Sequence, residues 1–218
     1  MLLDFERIWP SVPYILGGVP VTLAYTSVSL GLGFVWGALL ALCKVSHINF
    51  LKWFAGFYTS IFRGTPLLLQ LFLIYYATPQ LTGYIISIWE AGILTFTLNS
   101  GAYVSEHIRG GINSVERGQM DAALSLGIPY SLLMKDIILP QAIRNSLPSL
   151  VNEAVDLVKE SALISVIGGT DILRRANQVA SEKYLYFEPL LVAGFLYYVL
   201  VMILAFAAQL LEKKLKTT

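Results

Sequence analysis

Three stretches of this chain carry no charged side chain at all. Ile8 to Cys43 runs uncharged for 36 positions, Gly64 to Trp89 for 26 and Pro189 to Leu211 for 23. A helix that crosses a bilayer needs about 20 predominantly apolar residues. Its backbone must also close its own hydrogen bonds, because the hydrocarbon offers none. Runs of this length therefore point to an all-α integral membrane protein with several spans. Composition agrees: 13% of residues are charged and 56% are hydrophobic, against roughly 25% charged in an ordinary soluble domain. Disorder is excluded, since it needs low hydrophobicity and high charge. A net charge of +1 exerts no general pull on nucleic acid. The lone Cys43 rules out an internal disulfide or an iron–sulfur site, and two histidines make a histidine-rich metal site improbable.

Five transmembrane helices are expected, over about 15–43, 53–77, 84–107, 146–168 and 188–211. Pro10, Pro13 and Pro20 break the lead-in to the first, and Arg63-Gly64-Thr65-Pro66 interrupts the second. The third tolerates Glu90 and the fourth is polar in its middle. Asp4, Glu6 and Arg7 give the N-terminus mixed charge, unlike a cleavable signal, so the first span is expected to remain. Nine Lys/Arg fall on one side of this arrangement, including Lys44, Lys52, the group at Arg109–Arg144 and Lys213, Lys214 and Lys216. Four fall on the other side: Arg7, Arg174, Arg175 and Lys183. The positive-inside rule then puts the N-terminus outside and the C-terminus in the cytoplasm, against the local signal of Arg174-Arg175.

No internal repeat supports an inverted-repeat carrier. There is no Gly-x-x-x-x-Gly-Lys-Ser/Thr loop, so ATP driving this protein must be hydrolysed by another subunit. Five helices are few to enclose a path, which favours a dimer. Residues 108–145 form a long loop with structure of its own. Asn113 or Ser114 is placed to cap a helix over Val115 to Leu126, Gly127 to end it, and Pro129 to open the next. Ala122 and Ala123 leave a surface that a partner can approach closely.

Asp121-Ala122-Ala123, three residues, Gly127, nine residues and then Ile137-Ile138-Leu139-Pro140 resembles the EAA loop of permease subunits of bacterial ABC importers. Asp121 stands where Glu is usual, one methylene shorter. Gly118-Gln119 is similar to the polar-amino-acid branch, in which Pro often stands at the position of Arg117. Three further segments resemble that branch: Arg63 to Gln70, Asn99 to Glu106 followed by Arg109-Gly110-Gly111-Ile112, and Lys159 to Gly168. The resemblance covers roughly residues 15–211. It implies a type I importer permease fold in the bacterial inner membrane, one permease domain over 1–218 with its coupling loop at 108–145. It also implies a second copy or a related permease, an ATP-binding subunit dimer, an extracytoplasmic solute-binding protein and an amino-acid substrate. Gly118, Gln119, Asp121, Ala122, Ala123 and Gly127 would serve the ATPase contact, and ATP and magnesium would sit on the partner. This chain is expected to bind no cofactor or metal and to catalyse nothing itself.

Helix four carries Glu153, Asp156, Lys159 and Glu160. Charges there cost about 2.5–3.5 kcal/mol each at a helix centre on insertion scales, so they need partners or a wet cavity. The i+3, i+4 and i+7 spacings put the three carboxylates on one face. Glu153, Asp156 and Glu160 are candidate substrate contacts; Lys159 is also placed to pair with Asp156, which leaves Glu153 and Glu160 to meet cationic groups of a solute. The blander role is structural: pairing with Lys159 or Arg63. Asn99 matches an Asn that the resembling branch places near substrate, and Tyr103 follows on the same face. Arg63 is read chiefly as a pairing or interfacial residue, with a solute carboxylate as its other partner. Gly33 to Gly37 reads as close packing within the chain. Trp53, Tyr58, Tyr184 and Tyr186 read as interfacial anchors. His47 and His107 read as loop and helix-end residues. The competing readings are an importer of a neutral amino acid or another small solute, an ATP-independent carrier or channel, and a membrane enzyme, for which no catalytic constellation assembles.

Overall fold

A computed structural model describes residues 4–216, and among these residues every regular element is helical. Short turns over Phe5–Ile8, Trp9–Ser11 and Val12–Leu16 lead into α1, Val19–Val45. Next come α2, Asn49–Gly64, and α3, Leu67–Phe72, which continues through a π-helical turn to Thr82. Then follow α4, Ile88–Asn113; α5, Arg117–Ser125; and α6, Leu139–Glu160, entered through a turn over Leu133–Ile138. After a 3₁₀ stretch, Ser161–Ile167, come α7, Ile172–Lys183, and α8, Phe187–Lys216.

By length and composition two segments suffice to cross a membrane, Phe5–Val45 and Phe187–Leu210. The pair Asn49–Gly64 and Leu67–Thr82 makes a third if taken as one span, bent by 104°. α4 and α6 bear the charged groups described below. The bend sits where expected. Thr65 is extended (φ −121°, ψ 148°), as the residue before a proline tends to be, and Pro66 carries no N–H for the helix ladder.

Small residues decide how α1 meets α4. A Cβ on Gly37 would lie 2.6 Å from Val104 Cγ1, and one on Gly101 would lie 2.6 Å from Trp36 Cδ1. The Gly33–Gly37 face therefore packs within the chain, as its spacing implies. α4 approaches α6 in the same way: a Cβ on Gly111 would meet the Ala142 carbonyl at 2.5 Å. Around these contacts lies a core of Tyr25, Leu71, Phe96, Leu157 and Ile164. The outer faces of α1 and α8 stay apolar and exposed, with Leu32, Val35, Leu42, Phe195, Ile203 and Phe206 all at least half exposed apart from Phe34 at 49% beside them.

Several boundaries differ from the sequence expectation. α4 begins at Ile88, not 84, because Ser87 and Glu90 form a reciprocal cap: Glu90 N–H donates to Ser87 Oγ and Ser87 N–H to Glu90 Oε2. Glu90 is thus a capping residue. At its other end α4 runs on to Asn113, with Ser114 closing it, so neither residue caps α5; Glu116 occupies that position. α7 was not expected at all. Asp171 caps it by accepting from the Arg174 N–H at 2.9 Å and also accepts from the Tyr197 hydroxyl at 2.7 Å. Its Ile172, Ala176 and Val179 pack on Ile15 and Ala193. The side chains of Lys214 and Lys216, part of the basic group at the C-terminus, lie outside the described residues.

Candidate functional site

α6 projects Glu153, Asp156 and Glu160 toward one cavity of about 360 Å³. Arg63 of α2 and Tyr103 and His107 of α4 line the same cavity. The helical spacing of the carboxylates therefore does bring them together. Lys159 Nζ lies 2.6 Å from Asp156 Oδ1, the pairing expected from i, i+3 geometry. Glu153 is buried, and its Oε2 lies 3.7 Å from His107 Nε2. His107 is not a helix-end residue: it sits within α4 one turn beyond Tyr103 and faces the cavity.

Arg63 pairs with an acidic residue, as its chief reading expects, but with Glu106 of α4 and not with a carboxylate of α6. Its Nη1 lies 3.7 Å from Glu106 Oε2, and its guanidinium stands over the Tyr103 ring at 5.3 Å from the centroid. Lys44 and Arg109 bind the same Glu106 carboxylate, Arg109 through two N–H groups. These four charged residues line a second cavity of about 590 Å³ together with the small residues of α2. Arg63 thus borders both cavities. The Glu106 cluster was missed in the sequence because its members lie on three elements; only the Glu106–Arg109 spacing was visible locally.

Asn99 is buried and serves the broken helix. Its Nδ2 donates to the Phe62 carbonyl at 3.0 Å and to Gln70 Oε1 at 2.9 Å. Gln70 Nε2 in turn donates to Phe62 O, Thr65 O and Thr65 Oγ1. The two amides thus occupy carbonyls that the bend removes from the helix ladder, a requirement for non-helical backbone at membrane depth. Tyr103 lines the carboxylate-bearing cavity, whereas Asn99 sits one turn away behind it.

In the loop, Gly118, Gln119, Asp121, Ala122 and Gly127 are exposed. Gln119 Oε1 accepts from Gln141 Nε2 at 2.6 Å. Ala123 faces inward, onto Leu133, Ile138 and Ala142, so of the two alanines only Ala122 belongs to the open surface. Gly127 adopts φ 74° after α5, the left-handed conformation that ends helices at little cost in glycine. A cavity of about 400 Å³ opens beside α5 between Glu116, Arg117, Met120, Asp121 and Ile138. Trp53, Tyr184 and Tyr186 are exposed as anchors would be. Tyr58 instead donates its hydroxyl to the Leu98 carbonyl, tying α2 to α4.

The family described as the inner membrane component of binding-protein-dependent transport systems matches residues 33–217. The chain belongs to that family. It is 49% identical over 217 residues to the arginine transport system permease protein ArtQ of Bacillus subtilis, covering 100% of this chain and 99% of that one. It is 54% identical over 209 residues to a Rickettsia felis protein with the provisional name of a glutamine transport system permease protein, GlnP, covering 96% of each. Its fold matches a solved structure described as an amino acid ABC transporter with histidines, with a TM-score of 0.94 and 40% identity over 98% of this chain and all of that one. As a family member it is a transport permease of the inner membrane, with the all-α type I importer fold.

Proposed function

We propose that this permease moves polar amino acids, cationic ones among them, into the cell. The observation that carries the reading is one cavity lined by Glu153, Asp156 and Glu160 and also by Arg63. Every amino acid pairs an α-ammonium with an α-carboxylate. Arg63 offers the planar fork that binds carboxylates, and Glu153 and Glu160 offer partners for cationic groups. The names of the relatives, arginine and glutamine transport permeases, support the same solute class.

In this reading the solute arrives from an extracytoplasmic binding protein. The chain crosses the membrane five times in this reading, and the positive-inside rule supports an N-terminus outside and a C-terminus in the cytoplasm. The permease works as a pair, with a second copy or a related permease. An ATP-binding dimer, holding ATP and magnesium, docks on α5 through Gly118, Gln119, Asp121 and Ala122, with Ala123 and Gly127 shaping the helix. Closure of the ATPases moves the helices around the cavity. The chain itself performs no chemistry.

A second reading, import of neutral amino acids, is favoured by the Lys159–Asp156 pair, which cancels one of the three carboxylates. Reconstitution with the cognate ATPase and binding protein separates the two. ATPase stimulation by arginine, lysine or histidine supports the cationic reading. Stimulation by glutamine alone assigns the carboxylates to holding the bundle together. Failure to associate with any ATPase refutes the importer mechanism.

A further inference from the structure

Resting on the reading of the carboxylate-bearing cavity as the solute site, we infer that His107 sets how strongly that site prefers a cationic over a neutral amino acid. The argument is one of charge and distance. The ionisable groups facing His107 are Arg63 from α2, Tyr103 from its own helix, and Glu153, Asp156 and Glu160 from α6. Lys159 enters through its pair with Asp156, and Glu106 lies behind Arg63.

Asp156 is matched by Lys159. Arg63 together with one glutamate matches a zwitterion, carboxylate to guanidinium and ammonium to carboxylate. One glutamate is then left over for a second cation on the solute. His107 decides whether it is available, because its Nε2 lies 3.7 Å from Glu153 Oε2 and Glu153 is buried. A neutral imidazole leaves the Glu153 charge to the solute. A protonated one occupies it, and a cationic side chain then meets a wall already balanced. The preference is therefore set where His107 meets Glu153, 3.7 Å away. His107 acts here through Glu153, as a specificity-determining neighbour.

The test uses the permease–ATPase complex in lipid nanodiscs without the binding protein, with radiolabelled arginine and glutamine as probes. His107→Lys, a permanent cation, is expected to weaken arginine binding at least about tenfold, the scale of one lost charge contact. Glutamine binding is expected to stay within about threefold. His107→Gln, uncharged at every pH, is expected to keep the arginine-to-glutamine affinity ratio within about threefold of the wild type or to raise it. A ratio unchanged by His107→Lys, or one lowered more than about threefold by His107→Gln, overturns the inference. Should the lysine variant not assemble, the glutamine variant decides alone. Glu160→Gln in the same assay keeps the two levels apart: if it lowers the ratio while the His107 variants do not, only the role of His107 fails. If it leaves the ratio unchanged, or if neither probe binds the wild type, the solute site itself is wrongly assigned.

Discussion

Asn99 and Glu160 illustrate two kinds of polar residue inside an apolar protein. Asn99 spends its amide on the Phe62 carbonyl and on Gln70 at the bend between α2 and α3. Asn99→Leu takes the donor from buried Gln70 Oε1, at about 1–3 kcal/mol, while Phe62 O keeps its hydrogen bond from Gln70 Nε2. The melting temperature of the purified permease is expected to fall by several degrees, as scanning calorimetry in detergent would show. An unshifted melting temperature with abolished transport would instead make Asn99 a direct solute contact. Glu160 lines the cavity with Glu153 and Asp156. Glu160→Gln is expected to reduce arginine uptake by about tenfold, one charge contact's worth, while glutamine uptake changes little. Equal effects on both solutes in vesicle uptake would assign Glu160 to the fold.

Between elements, packing is decided by what has been left out. Gly37 and Gly101 let α1 and α4 touch backbone to side chain at distances no Cβ tolerates. Gly37→Leu is expected to force the helices apart at a cost of at least about 1–3 kcal/mol, read as lost yield of folded permease by fluorescence size exclusion. Yield equal to wild type would mean that α1 shifts freely. Asp171→Ala removes the cap of α7 and the partner of the Tyr197 hydroxyl. The cost is about 0.5–2 kcal/mol for the cap alone, checked by thermal unfolding. The positions of the long helices, the break at Pro66 and the shared face of the α6 carboxylates were all legible in the sequence, because each follows from local spacing or a single residue's geometry. α7 was less visible, being too short and polar to register among the apolar runs. Its signal was present in Asp171 followed by Ile172, Ala176 and Val179 at helical spacing. The Glu106 cluster and the His107–Glu153 contact depend on how α1, α2, α4 and α6 dock, which no spacing within one helix encodes.

For the whole molecule the proposed ATPase contact lies on the small outer face of α5. Gly118, Gln119, Asp121 and Ala122 are exposed there while Ala123 anchors the helix to Leu133 and Ile138. Ala122→Trp is expected to abolish copurification with the ATPase and leave thermal stability unchanged, since the added ring projects outward. Retained copurification would move the docking surface elsewhere.

The foot of α6 rests on the same inward face as α5, through Ala142, Ile138 and Ala123. From Leu139 to Glu153 is fourteen residues, about 21 Å along the axis at 1.5 Å each. α6 therefore joins the loop to the cavity, with Pro148 on the way. A tilt of about 10° at the foot displaces Glu153 by about 3.6 Å on that arm, comparable with the 3.7 Å that separates it from His107. A small movement begun at a nine-residue helix is thus of the scale of the charge contacts in the middle of the molecule.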